Sequence, residues 1–466
     1  MKPDDDLTGP NLAELMKKYD RPGSRYTSYP TTPLFSKEFS YKRYKREISK
    51  LNHPDNKTDL SLYLHIPFCD TLCYFCGCTT IITQNRERVK EYLDYLKREI
   101  DLLSSYIHPN RKVIQMHWGG GTPTYLTPIE ISEIASYIKK RFNFTDDAEL
   151  SVEIDPIDLT LEHLQSLRQN GFNRISMGVQ DYSEKVLSAI NRNQGKEITR
   201  QAIEWSRSLG FVSLNLDLVY GLPLQTLQSF EKTVDHIIKV SPERIAVYNF
   251  AYVPWIKPHQ KLIKPEDLPT PENKMKILLM TIKKLIDAGY VYIGMDHFAK
   301  ADDELTISQM NKSLHRNFQG YSTKAGCDLF GLGMSSISHF ANNYAQNAKT
   351  LTGYYKAIDA GHFATDVGYQ MSFDDGLRKH IIMRLMCDLA LEISDVEKKF
   401  KIVFEEYFKN TINSLQPFIE DKLLQRSGGT LKVTAQGRLF LRNIAMCFDA
   451  YLTKIPKKIP VFSRTV

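Results

Sequence analysis

Six apolar runs rich in β-branched residues, each followed by a helical pattern, constrain this chain more than any other feature. The runs are Leu60–Ile66, Val113–Trp118, Leu150–Ile154, Asn173–Val179, Val212–Val219 and Arg244–Ala251. The segment RERVKEYLDYLKREIDLLSSYI sets Val89, Tyr92, Leu93, Leu96, Ile100 and Leu103 on one helical face. Similar stripes lie in PIEISEIASYIKKRF, LTLEHLQSLRQNG, EITRQAIEWSRSLG, SFEKTVDHIIKV and KMKILLMTIKKLIDAGY. Strands alternating with helices predict an α/β fold with a parallel sheet and right-handed crossovers. Both a partial (β/α)6 barrel and a doubly wound sheet satisfy the pattern, and both gather chemistry at the carboxyl ends of their strands. A cysteine cluster follows the first run, and Gly119, Gly120, Gly121 and Thr122 follow the second. Glu153 ends the third, Gln180 follows the fourth, and Asp217 lies late in the fifth. All five features are therefore expected at one rim.

The flanks read differently. Residues 1–55 carry RPGSRYTSYPTT, expected to be an ordered loop. From about residue 365 the pattern is mainly helical, and GGTLKVTAQGRLFLRNIAMCF predicts a small hairpin and a final helix, a winged-helix-like cap. The expected division is an N-terminal segment 1–55, a core 56–295, a connecting segment 296–364 and a C-terminal helical domain 365–466. Of the 466 residues, 42% are apolar and 25% charged, which excludes a mainly disordered chain. No uncharged apolar run approaches the roughly 18 residues of a membrane span. MKPDDDLTGP lacks the pattern of a signal peptide, so a cytoplasmic location is expected. The net charge of +7, from 61 basic and 54 acidic residues, suits an acidic ligand. It falls short of the basic stripe of a nucleic-acid binder, so no nucleic-acid partner is expected. Part of it lies in KIPKKIPVFSRTV, expected to be a solvated tail.

Four of the seven cysteines, Cys69, Cys73, Cys76 and Cys78, fall within ten residues, while Cys327, Cys387 and Cys447 are scattered. An odd total without a signal sequence argues against a disulfide framework, and a tight cluster argues for metal. Structural zinc needs two pairs of ligands from distant segments, and no second pair follows. A redox Cys-x-x-Cys would use Cys73 and Cys76 but leaves Cys69 unexplained. A [4Fe–4S] cluster on three thiolates, with one iron open, suits the compact loop best.

Cys69-x3-Cys73-x2-Cys76 after the first strand resembles the signature of the radical S-adenosylmethionine superfamily. YLHIPFC, HWGGGTPTYL and GVQ are similar to its coproporphyrinogen dehydrogenase branch. RYTSYPT, Cys78 and NFQGYSTKAGCDLFGLGMSSIS extend the likeness from about residue 21 into the C-terminal region. The resemblance implies a partial (β/α)6 radical-SAM barrel, with 1–55 covering the substrate and 296–364 completing the active site. It implies oxidative decarboxylation of the ring A and B propionates of coproporphyrinogen III to vinyl groups, giving protoporphyrinogen IX. The cofactors it implies are a [4Fe–4S] cluster and two S-adenosylmethionines per turnover. A separate electron donor and acceptor are implied, and a monomer is expected.

The same resemblance assigns Cys69, Cys73 and Cys76 to the cluster, with Cys78 beside it without ligating it. Gly120, Gly121 and Thr122 would meet the cofactors through backbone groups, and Glu153 would contact the first S-adenosylmethionine. Gln180, Arg192 and Asp217 would hold a second, for which Asn215 is an equal polar candidate by spacing. Tyr63, Phe75, Ala251 and Ile337 match cofactor contacts, although each reads as core from its surroundings. Phe318 and Gln319 match positions near the reacting centre, where an ordinary loop is the plain alternative. Arg21 and Arg25 are candidates for substrate carboxylates. His65, His117 and His339 read as structural rather than ligating. The competing reading is a haem chaperone of the same branch. Those relatives usually lack both the cysteine at the position of Cys78 and the RYTSYPT segment.

Overall fold

The computed structural model describes residues 11–452 and 462–465. The expected leaderless start, MKPDDDLTGP, and most of the KIPKKIPVFSRTV tail lie outside the described residues. The six apolar runs form β1 (Leu60–Ile66), β2 (Lys112–Gly120), β3 (Asn143–Ile154), β4 (Arg174–Gln180), β5 (Ser213–Tyr220) and β6 (Arg244–Asn249). They pair in parallel and in chain order, the order of a partial (β/α)6 barrel rather than of a doubly wound sheet. β3 begins seven residues earlier than its apolar run, because the mainly polar stretch NFTDDAE still pairs with β2. β6 ends at Asn249, which leaves Ala251 in the following loop.

The sheet continues at both edges. β7 (Tyr290–Gly294) and β8 (His297–Lys300) form an antiparallel pair, with β8 against β6. A separate hairpin, β9 (His315–Asn317) with β10 (Gly320–Ser322), precedes β11 (Asp328–Leu332), which runs parallel to β1. β12 (Ile337–Phe340), β13 (Asn343–Asn347) and β14 (Thr365–Gln370) then extend the sheet antiparallel. The twelve-stranded order is β14-β13-β12-β11-β1-β2-β3-β4-β5-β6-β8-β7. The strand–helix pattern gave no sign of these edge strands, because the segment carrying them has short runs broken by Gly, Asn and Ser.

Helices cover the outer face. The stripe expected on Arg86–Ser104 is buried at all six positions, and Leu60, Leu62, Leu64 and Ile66 of β1 are fully buried on the same side. Glu99, on the same helix, is also buried. It accepts from the Gly333 N–H (2.6 Å), Asn347 Nδ2 (2.6 Å) and the Tyr354 hydroxyl (2.7 Å), tying the helix to the connecting segment. Glu99→Leu strands all three donors, and we expect it to cost about 3 kcal/mol or more, read as a lowered urea midpoint at unchanged slope.

A second core joins Leu12, Leu15, Tyr19, Tyr26 and Tyr29 to the helices and strands of residues 377–448. In it, β15 (Ala390–Glu392), β16 (Leu424–Ser427) and β17 (Thr430–Val433) form a three-stranded sheet, and Gly428 and Gly429 turn the expected hairpin at positive φ. The end of the expected solvated tail is held instead. Thr465 N donates to Arg21 O (3.0 Å) and Gly23 N to Ser463 O (3.1 Å). Arg442 donates to the carbonyls of Gly23, Ser24 and Arg464 in the same place.

Candidate active site

Strand register decides which side chains share the inner face of the sheet. Ser61, Tyr63 and His65 point away from the buried leucines of β1. Tyr63 pairs with His117 and His65 with Gly119, His117 with Ser151, Glu153 with Ser176, and Gly178 with Asp217. Tyr63, His117, Gly119, Glu153 and Asp217 therefore line one surface. On the other side, Tyr63 pairs with Gly331, and Leu329 pairs with His339. The Glu153 side chain keeps 45% of its surface accessible although β3 lies inside the sheet, so it faces an open cavity.

The glycine run exists to let these groups close up. A Cβ on Gly119 would fall 2.8 Å from the Glu153 carboxylate, and one on Gly121 would fall 2.7 Å from the backbone of Pro67 and Phe68. Gly120, at φ 122°, would drive a Cβ to 2.8 Å from the His65 ring. The expectation that these N–H groups face a ligand needs correcting. Gly120 N donates to Glu153 Oε2 (3.1 Å), Gly121 N to Ile66 O (2.8 Å) and Thr122 N to Phe68 O (2.9 Å). What the run supplies is room and free side-chain space at the strand end.

Glu153 also accepts from His117 Nε2 (3.3 Å), whose Nδ1 stands 2.6 Å from the Ser151 hydroxyl. Burial pushes the Glu153 carboxyl up, but His117 and the Gly120 N–H outweigh it and hold it below the ordinary range. His65 Nε2 donates to Thr79 O (2.9 Å), and its Nδ1 accepts from the Tyr63 hydroxyl (3.1 Å). His65 thus links Tyr63 to the Thr79 carbonyl, and His117 links Ser151 to Glu153.

The cysteine loop lies beside this face, and all seven cysteines are free. Cys69 Sγ lies 3.4 Å from the Thr122 hydroxyl, and Arg192 Nη1 donates to Cys73 Sγ at 3.6 Å. The Cys78 amide donates to Cys76 Sγ (3.4 Å). The Cys78 thiol donates there too and pushes the Cys76 thiol down to about 6, against burial. Burial pushes Cys69 up to about 12 and also raises Cys73. Among the described residues, no three His, Cys, Asp or Glu side chains converge as ligands of a single ion. The sulfurs of a tetrahedral zinc site would stand roughly 4 Å apart. An iron–sulfur cluster takes soft thiolate donors from one short loop, and Cys69, Cys73 and Cys76 supply three from a single segment at the rim, none of them tied up in a disulfide. The residues present fit a [4Fe–4S] cluster.

Sequence reasoning missed the clamp that holds this loop. Lys257 Nζ donates to Cys78 O (2.8 Å) and His259 Nε2 to Cys76 O (2.8 Å). Buried Gln260 donates to the carbonyls of Phe75 (3.3 Å) and Ala251 (3.1 Å) and accepts from Val253 N (2.6 Å). Phe75 packs against the apolar group of Val186, Leu187, Ile190, Val219, Leu222 and Phe250. The only sequence signal was the polar stretch KPHQK just after the sixth strand. Phe75 and Ala251 thus meet through Gln260, although they lie far apart in the chain.

Arg192 is buried and already engaged. Its fork grips Asp155 with two bonds of 2.9 Å, and it also reaches Gly178 O (2.7 Å) and Gln194 (2.7 Å). Gln180 stands beside it at φ 67°, where a Cβ on Gly178 would strike its amide at 2.7 Å. Asp217 accepts from Ser176 (3.0 Å) and Asn215 (2.8 Å), so Asn215 is its partner rather than its substitute. Burial, with Glu153 adding, pushes Asp217 up to about 7. A carboxyl raised in the folded state loses stability as pH climbs from its unfolded value, near 4, through about 7. We therefore expect Asp217→Asn to stabilise the protein by about 2 kcal/mol at pH 8 and by little at pH 4, in urea unfolding at both pH values.

Phe318 and Gln319 form the tip of the β9–β10 hairpin. Phe318 meets Tyr344 edge-on at 6.1 Å and shares an apolar group with Ile337 and Phe35. Gln319 Nε2 is buried with no hydrogen-bond partner. Arg25 is turned inward onto Asp296 and donates to Asn249 O (3.4 Å), whereas Arg21 meets the chain's end through its backbone.

The description "Radical SAM superfamily" matches residues 63–237, and "HemN C-terminal domain" matches residues 371–440. The oxygen-independent coproporphyrinogen III oxidase of Synechocystis sp. is 44% identical over 97% of this chain and 98% of its own length. That of Escherichia coli K12 is 43% identical over 97% and 98%. The solved structure of coproporphyrinogen III oxidase (HemN) from Escherichia coli, a radical SAM enzyme, superposes with a TM-score of 0.90 at 42% identity. It covers 94% of this chain and 99% of that one. With its barrel order, its cysteine loop and its likeness over nearly the whole length, the chain belongs to the oxygen-independent coproporphyrinogen III oxidase family of radical SAM enzymes.

Proposed function

We propose that the protein oxidatively decarboxylates the ring A and B propionates of coproporphyrinogen III, giving protoporphyrinogen IX. The observation that carries this reading is a three-thiol loop set against an inner sheet face that bears both Glu153 and Asp217. Cys69, Cys73 and Cys76 would hold the cluster, and Cys78 tunes Cys76 by donating to it. When bound, the cluster and S-adenosylmethionine supply one-electron cleavage of a C–S bond and a 5′-deoxyadenosyl radical able to take hydrogen from an unacidic carbon. Glu153, held ionised by His117 and Gly120, suits the amino group of S-adenosylmethionine. Asp217 suits ribose hydroxyls, and Gln180 lies close enough to share that ligand. Arg192 acts from behind, keeping Asp155 and Cys73 in place. Phe318, Gln319 and Ile337 close the substrate side, where the unpartnered Gln319 amide donates to a ligand. Tyr63 and Phe75 bound the cavity, and Ala251 and Thr122 fix the loop edges.

Two S-adenosylmethionines would serve each porphyrinogen, one per propionate, and each decarboxylation would release carbon dioxide and pass one electron to a separate acceptor. No helix among the described residues is long and apolar enough to cross a membrane. The chaperone reading is disfavoured because Cys78 and RYTSYPT are both present. Anaerobic reconstitution followed by coproporphyrinogen III, reductant and S-adenosylmethionine should yield protoporphyrin after oxidation. Tight haem binding with no decarboxylation would contradict the reading.

A further inference from the structure

The inner face carries a second titratable group that the proposed chemistry leaves unused. His339, on β12, turns to that face two residues after Ile337. Lys379, from the helix Phe373–Asp388, donates to His339 Nε2 at 2.6 Å. Its ammonium stands 5.0 Å from the centre of the Tyr344 ring, on which His339 stacks at 4.6 Å. His315 of β9 lies within electrostatic reach of both.

No acidic side chain among the described residues pairs with this group. The nearest carboxylates along the helix are taken. Asp375 accepts from Ser372 N (2.8 Å), the Ser372 hydroxyl (2.7 Å) and Tyr451 (2.7 Å), and Asp374 pairs with Arg378 (2.8 Å). Burial pushes Lys379 down to about 7 and His315 to about 4, and it lowers His339 as well. A half-buried basic group that faces the cavity without a counter-ion is costly to keep charged, and an anion relieves that cost. The acidic pole at Glu153 lies four strand spacings away, about 19 Å along the sheet. Phe318 and Ile337 lie beside Tyr344, at the His339 end of that face.

We propose that Lys379, with His339 and His315, forms a carboxylate subsite for one of the propionates that the reaction leaves intact. This rests on the proposed coproporphyrinogen III chemistry. A propionate destined to leave as carbon dioxide must give up its charge, and an ammonium gripping it would oppose that loss. The subsite therefore fits a retained carboxylate, and it fixes which end of the macrocycle faces the thiol loop. Lys379 is a positioning residue, remote from the reacting carbon.

The test titrates wild type, Lys379→Gln and Lys379→Arg with coproporphyrin III, the oxidised macrocycle bearing the same four propionates. Its tetramethyl ester serves as the uncharged probe. Lys379→Gln should weaken coproporphyrin III binding roughly ten- to a hundred-fold, the loss of one charge-assisted contact. Binding of the ester and of S-adenosylmethionine should not change, and Lys379→Arg should restore most of the loss. Equal affinity in Lys379→Gln and wild type overturns the subsite. So does an equal loss for acid and ester, or a loss that appears in S-adenosylmethionine binding, whose own carboxylate is the other candidate ligand. Should Lys379→Gln fail to fold, Lys379→Met carries the same comparison without a polar group in the cavity. Wild-type turnover with an unaffected variant removes only the subsite. A wild type that neither binds nor converts the macrocycle removes the proposed function with it.

Discussion

Cys73→Ser should remove the iron–sulfur absorbance and lower 5′-deoxyadenosine formation by at least about a thousand-fold, since residues acting as one unit fail together. A serine oxygen is a harder and far less acidic ligand than a thiolate, and it leaves the cubane with two protein sulfurs. The change is small in volume. The loop is independently held by Lys257, His259 and Gln260 on the carbonyls of Cys78, Cys76 and Phe75, so the fold should persist. Retained circular dichroism with lost visible absorbance separates ligand loss from unfolding. The Arg192 contact to Cys73 survives as a hydrogen bond to oxygen, so the Arg192–Asp155 pair should also remain. Turnover retained in this variant would contradict the assignment of the loop.

The second large effect is expected at Glu153. Glu153→Gln keeps the shape but removes the charge that His117 and the Gly120 N–H stabilise. A cationic amino group of S-adenosylmethionine then loses its anion. We expect kcat/KM for S-adenosylmethionine to fall roughly ten- to a hundred-fold, the range of a lost charge-assisted contact. KM for the porphyrinogen should be unchanged. The same substitution removes a negative neighbour of Asp217, so the Asp217 pKa should move down from about 7. The stabilisation that Asp217→Asn gives at pH 8 should then be smaller in the Glu153→Gln background, its rise with pH still starting near 4 but ending sooner. A rise confined to the porphyrinogen KM would place Glu153 on the wrong ligand.

The barrel was legible because its signal is local. Alternating apolar runs and helical stripes specify β1 to β6 and their outer helices, apart from the seven residues by which β3 starts early, and the rim follows from strand ends. The Cys69, Cys73 and Cys76 spacing was legible for the same reason. What the pattern hid depends on distant contacts. The edge strands β11 to β14 are short, and they become strands only through the pairing of β11 with β1 and then of each with the next. Arg192 reads as a free carboxylate binder until Asp155 is seen to occupy it. The glycine run reads as a nest of N–H groups until Glu153, Ile66 and Phe68 are seen to take them. Gln260 and Lys379 carry no motif, and only the fold sets them against the cysteine loop and His339.

Metal analysis of protein reconstituted without oxygen tests the central claim most directly. The account predicts about four iron and four sulfide per chain, no zinc, and a cluster signal that changes on adding S-adenosylmethionine, as an open iron requires. Zinc in place of iron, or a cluster spectrum indifferent to S-adenosylmethionine, would contradict it.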